Sequence, residues 1–196
     1  LAAFALPACV GLALIADPLA ALMIGDGVRT EAAHILPWLA LAGLFSGFTL
    51  YYWSEAFQLA QRTGLRALLM LAPGAVQISA TFVLTPAYGA LGAAMAAPCG
   101  AVIGCCLLAV VGRGLIALPV NIGALMRALI ATAFMAAGLM ALPPNAGLAA
   151  EIAVGAALYA GAALALNLLG ARTRLSAVFQ TVGAKLRRSN PIHGLK

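Results

Sequence analysis

Residues 91–112 read LGAAMAAPCGAVIGCCLLAVVG, an unbroken apolar run without Asp, Glu, Lys or Arg. A helix rises 1.5 Å per residue, so about 20 residues cross the roughly 30 Å hydrocarbon core of a bilayer, and this run is long enough. Apolar and polar residues do not alternate with period two, which argues against a strand of a membrane barrel. Gly92, Ala96, Gly100 and Gly104 recur every fourth residue within it. Such a stripe of small residues lets a neighbouring helix approach closely in lipid, where packing drives association. The run ends at Gly112-Arg113-Gly114.

The remainder of the 196-residue chain has the same character. Hydrophobic residues make up 64% of it and charged residues 8%, where an ordinary soluble domain has roughly 25% charged. Mean hydropathy is +1.06. Too little charge is present to cover a soluble surface, and the composition likewise excludes a disordered chain and a disulfide-stapled secreted domain. Six segments are long enough to span: about 1–24, 33–60, 66–84, 91–112, 122–142 and 147–169. Gly25-Asp26-Gly27, Gln61-Arg62-Thr63-Gly64, Thr85-Pro86, Gly112-Arg113-Gly114, Pro143-Pro144 and Gly170 punctuate them, and Asn121 stands where an N-cap of the fifth belongs. The expected fold class is therefore all-α, a polytopic membrane protein with six transmembrane helices over 1–170. Residues 171–196 form a basic amphipathic tail. The chain opens at Leu1 inside an apolar run, without Met and without the basic n-region or cleavage pattern of a signal peptide. It reads as part of a longer membrane protein.

Charge placement orients the six segments. If they alternate across the bilayer, Arg62, Arg66, Arg113, Arg127, Arg172, Arg174, Lys185, Arg187, Arg188 and Lys196 share one side, and Arg29 alone lies on the other. The positive-inside rule then makes the tail cytoplasmic. In the tail, Leu175, Val178, Phe179, Val182 and Leu186 recur at helical spacing between Arg174, Lys185, Arg187 and Arg188, the pattern of an interfacial helix. A disordered basic tail is the alternative. No basic patch interleaved with aromatics points to nucleic acid.

Chemistry-bearing residues are few. Cys9, Cys99, Cys105 and Cys106 form no CxxC and sit in apolar runs, and His34 and His193 are far apart. No zinc site, serine-histidine-acid set or phosphate-cradling glycine loop is expected. The carboxylate of Glu55 stands out, because a charge in an apolar segment is costly and turns toward a cavity or a partner. At about 100° per residue, Gly43, Gly47, Tyr51, Ser54, Glu55, Gln58, Gln61 and Arg62 fall within roughly 120° of one helical face. Phe45, Leu50, Tyr52, Trp53, Ala56, Phe57, Leu59 and Ala60 occupy the other. This describes either one wall of a water-filled pathway or a helix held by a Glu55–Arg62 or inter-helix ion pair. Asp17 beside Pro18 lines an outer vestibule or caps a helix broken at the proline. Gln77 and Thr81, one turn apart, suit a hydrogen bond between helices, and Glu151 and Asn167 lie near the ends of the sixth segment.

The order of these landmarks resembles a known family. Pro7, Gly11, Pro18-Leu19, Gly25 and Glu31-Ala32-Ala33 are similar to the later half of a polysaccharide flippase. So are Gln61-Arg62-Thr63-Gly64 and the run Pro86-Ala87-Tyr88-Gly89-Ala90-Leu91-Gly92-Ala93-Ala94. They resemble the multidrug/oligosaccharidyl-lipid/polysaccharide (MOP) exporter superfamily, its O-antigen and exopolysaccharide branch in particular. The likeness covers residues 1–112 by landmarks and 113–170 by helix count, and Gln77 stands where members often carry Asn.

The resemblance implies helices nine to fourteen of a two-lobed protein, with an N-terminal lobe as partner. It implies a non-enzymatic bacterial inner-membrane flippase without cofactor or metal. Such a protein moves polyprenyl-pyrophosphate-linked oligosaccharide across the bilayer by alternating access. Tyr51, Glu55, Gln58, Arg62 and Arg66 are then the expected substrate pathway, with Arg66 attracting phosphate at the cytoplasmic mouth. A cation-coupled multidrug exporter would need an acid deeper in the span than Glu55. A membrane-embedded transferase acting on polyprenyl substrates would need clustered Asp or His.

Overall fold

The computed structural model describes residues 1–25, 27–116, 121–143 and 147–166. Among these residues the structure is helical and contains no strand. Five spans are long and apolar enough to cross a membrane: Arg29–Leu59, Thr63–Tyr88, Ala90–Leu115, Ile122–Met140 and Leu148–Ala165. A bent pair at the N-terminus makes a sixth if the two helices cross as one broken span. The architecture is that of a multi-pass membrane protein.

The segment expected over 1–24 is broken near Pro18, one of the two readings that Asp17-Pro18 allowed. Helix α1 (Ala2–Leu14) and α2 (Ala16–Met23) meet at Ile15 with a bend of 69°. Pro18 has no N–H for the Leu14 carbonyl and its ring crowds that turn, while Asp17 in the first turn of α2 favours a helix start there. Pro7 lies inside α1 without breaking it. The carbonyl it leaves without a donor is that of Ala3, and the Tyr159 hydroxyl donates a hydrogen bond to this oxygen. A neighbouring helix thus restores what the proline removes.

Helix α3 (Arg29–Phe48) passes through a π-helical turn, Thr49–Trp53, into α4 (Ser54–Leu59). Two side chains supply carbonyls of this widened stretch. The Thr49 hydroxyl donates to the Phe45 carbonyl at 2.9 Å and the Ser54 hydroxyl to the Thr49 carbonyl at 2.7 Å. Helix α4 ends in a Schellman turn: Arg62 N–H donates to the Phe57 carbonyl at 2.9 Å and Gln61 N–H to the Gln58 carbonyl at 3.0 Å. Gln61 takes a left-handed φ of 54° there. Helices α5 (Thr63–Leu69) and α6 (Leu71–Tyr88) form the next span. It continues past Thr85-Pro86, where the apolar run had been expected to end, because a proline in the last turn deprives only one carbonyl of its donor. Gly89, at φ 58°, closes it. Asn121 caps α8 (Ile122–Met140), its Oδ1 accepting from Ala124 N–H at 3.0 Å. Helix α9 (Leu148–Ala165) completes the described structure. The tail 171–196 and the end expected at Gly170 lie outside the described residues.

Neighbouring spans pack in the order α6, α7, α3, α1–α2, α8, α9, where α7 is Ala90–Leu115. Of the spans, α7 has the largest buried share, 33% of its apolar stretch against 6% for α5–α6 and for α9, so α7 is the most enclosed and the outer two are open-flanked. Gly92, Ala96, Gly100 and Gly104 are buried, and Leu108 and Gly112 extend their stripe. Close approach explains the glycines. A Cβ at Gly92 would lie 2.2 Å from the Leu84 carbonyl oxygen, and one at Gly100 would lie 2.7 Å from Gln77 Cβ. Trp53, Ala56, Phe57 and Leu108 form one core cluster, and Ala3, Ala128 and Ala131 another.

Candidate functional site

The α3–α4 rod reaches its end with two unlike faces. Trp53, Ala56 and Phe57 are buried. Phe57 lies against Gly112, whose Cβ, if present, would be 3.4 Å from the Phe57 ring. The Arg113 guanidinium sits 5.3 Å from the centroid of the Trp53 ring, within cation–π range. These contacts fix the rotation of α4 and turn Glu55 and Gln58 outward; Tyr51 in the π turn and Arg62 in the turn after α4 are exposed as well. No ion pair joins Glu55 to Arg62 among the described residues.

The stripe is shorter than helical periodicity implies. Ser54 is fully buried and spends its hydroxyl on the Thr49 carbonyl. A π turn holds an extra residue, which rotates everything upstream by roughly 100° relative to an ideal α-helix. Gly43 and Gly47 therefore do not continue the row of Glu55, Gln58 and Arg62. On the apolar face, Trp53, Ala56 and Phe57 are packed against neighbours, while Leu50 and Leu59 are exposed.

Arg66 is placed apart from that row. It is partly buried and lines a cleft of about 340 Å³ between α3, α5–α6 and α7, together with Ser46, Thr49, Gly74, Gln77 and Gly104. Its Nε is buried and has no hydrogen-bond partner. Gln77 opens onto this cleft. The Thr81 hydroxyl donates to the Gln77 backbone carbonyl at 2.8 Å, a bond within one helix and not the inter-helix bond expected of that pair. Sequence reading missed the Arg66–Gln77 cleft. Eleven positions separate the two, and only the small residues of α7, read as packing, hinted at the space beside them.

Helix pairing sorts the remaining charges. Consecutive spans run antiparallel, which puts Arg62, Arg66, Arg113 and Arg127 at one end and Arg29 at the other. At that other end Asp17, in the first turn of α2, lines an open hollow of about 490 Å³ with Arg29 and Glu151. Among the described residues no three His, Cys, Asp or Glu side chains converge as metal ligands, and the four cysteines are unpaired. Comparison of the chain with family models, with curated proteins and with solved structures gives no match.

Proposed function

We propose that this chain is part of a bacterial inner-membrane flippase. It moves polyprenyl-pyrophosphate-linked oligosaccharide from the cytoplasmic to the outer leaflet for O-antigen or exopolysaccharide synthesis. The observation that carries the reading is the exposure of Glu55 and Gln58 on a helix anchored from behind by Trp53 and Phe57, with exposed Tyr51 and Arg62 on either side in sequence. Polar and charged groups on an apolar span are costly in lipid, and such a row belongs against water or a second lobe. The sequence resemblance supplies the substrate class. Apolar spans and an arginine-rich end are in keeping with it, and the positive-inside rule turns that end to the cytoplasm.

The protein performs no covalent chemistry in this mechanism. Arg62 attracts the pyrophosphate at the cytoplasmic mouth, and Arg66 stands at the same end in a cleft of its own. Glu55 and Gln58 accept and donate hydrogen bonds to sugar hydroxyls, and Tyr51 offers an aromatic face. The lipid tail stays in the bilayer while this lobe rocks against an N-terminal lobe, opening the path to either side.

Glu55→Gln in the complete gene product tests the reading, because it removes the charge and keeps the volume. Glycan export should fall severalfold while the amount of folded protein in the membrane is unchanged. Normal export accompanied by a marked loss of folded protein would make Glu55 a structural residue and defeat the pathway assignment.

A further inference from the structure

We infer that the cleft between α3, α5–α6 and α7 is a binding site for the phosphate of an anionic lipid, separate from the Glu55 row. Arg66 is its charged member. The Nε of its guanidinium is buried with no hydrogen-bond partner, and no carboxylate lines the cleft. A guanidinium nitrogen left buried without a partner is costly. A phosphate removes that cost, since its oxygens match the planar fork of donors on arginine.

Neutral groups in the cleft refine the ligand. Gln77 offers an amide N–H₂ and Ser46 a hydroxyl. Thr49 contributes no donor, because its hydroxyl proton already goes to the Phe45 carbonyl. Arg66 lies in the short helix that follows the α4–α5 turn, at the start of its span. From there Gly74, Gly100 and Gly104 carry the cleft along the span toward Gln77. A phosphate at Arg66 thus has an apolar channel below it for the first part of an attached chain. The volume of about 340 Å³ falls in the lower range of small-molecule sites, roughly 300–1,000 Å³. The inference does not rest on the flippase reading. Two lipids share the chemistry, a bilayer phospholipid and a polyprenyl phosphate, and binding distinguishes them.

The test is native mass spectrometry of the 196-residue chain, purified in a neutral detergent. Dioleoylphosphatidylglycerol, undecaprenyl phosphate or phosphate-free dioleoylglycerol is added separately. A one-to-one adduct should survive with the phosphate-bearing lipids and not with dioleoylglycerol. Retention of undecaprenyl phosphate about tenfold above phosphatidylglycerol would identify a carrier-lipid site, and equal retention a phospholipid site. Arg66→Gln should lower retention about tenfold, the scale of one charge-assisted contact. Gly74→Leu tests the same site without touching the charge. Nothing lies within 4 Å of the Cβ it adds, so it fills the cleft and should cause a similar loss even if Arg66→Gln folds poorly. Arg127→Gln, exposed at the same end on α8, should retain lipid as the unaltered chain does. Undiminished binding in Gly74→Leu and Arg66→Gln, or an equal loss in Arg127→Gln, would overturn the assignment.

Discussion

Pro7 and Pro18 look alike in the sequence, each a proline in one apolar run, yet only the second accompanies a break. The difference lies in what becomes of one carbonyl oxygen. Ala3, left without a helical donor by Pro7, accepts from Tyr159, 156 residues further along the chain. Tyr159→Phe should leave that oxygen unsatisfied among apolar neighbours and cost about 1–3 kcal/mol, read as a lower midpoint of thermal unfolding in micelles. An unchanged midpoint would mean that water serves the carbonyl equally well. Gln61 bears the opposite kind of strain. It holds the left-handed position of a Schellman turn, where a side chain costs roughly 1–2 kcal/mol that glycine avoids. Gln61→Gly should therefore raise the same midpoint, and a fall would show that its side chain makes a compensating contact. Tolerance of prolines in such spans is a general expectation, whereas the identity of the rescuing residue is non-local and has no trace in local pattern.

Among the elements, α7 was the most legible. Its four-residue stripe of small side chains is the face that packs, because close approach needs small side chains and the spacing is local. The asymmetry between glycines gives a direct check. A Cβ at Gly100 would meet Gln77 Cβ at 2.7 Å and the Pro73 carbonyl at 2.9 Å, whereas one at Gly43 meets nothing within 4 Å. Gly100→Ala should destabilise by about 1–3 kcal/mol through overpacking, and Gly43→Ala should be neutral or mildly stabilising through helix propensity. Denaturation of both variants by dodecyl sulfate compares them, and equal sensitivity would mean that α6 and α7 do not pack at the distance described. The α3–α4 rod was legible only in part. Regular helical periodicity placed Glu55, Gln58 and Arg62 on one exposed side, but assigned Ser54 and the upstream glycines to the same arc. A π turn inserts a residue without a Gly or Pro to announce it, so the phase on its two sides cannot be read from spacing alone.

At the scale of the whole molecule, spans pack as an open row, α6, α7, α3, α1–α2, α8 and α9, with antiparallel neighbours. That alternation gathers Arg62, Arg66, Arg113 and Arg127 at one end, the end of the exposed row and of the Arg66 cleft. Charge asymmetry was visible in the sequence because orientation depends on which loops carry arginine. The order of the spans was not, since it depends on which faces meet. The functional account stands on the arginine-rich end facing the cytoplasm, and cysteine labelling in intact cells measures this directly. Cys9, Cys99, Cys105 and Cys106 are first replaced, and single cysteines are placed at Gly64, Gly114 and Gly27, where an added Cβ meets nothing within 4 Å. Positions 64 and 114 should resist a membrane-impermeant thiol reagent until the cells are opened, and position 27 should react from outside at once. Reaction of positions 27 and 64 from the same side would contradict the alternating bundle and with it the pathway built on its cytoplasmic end.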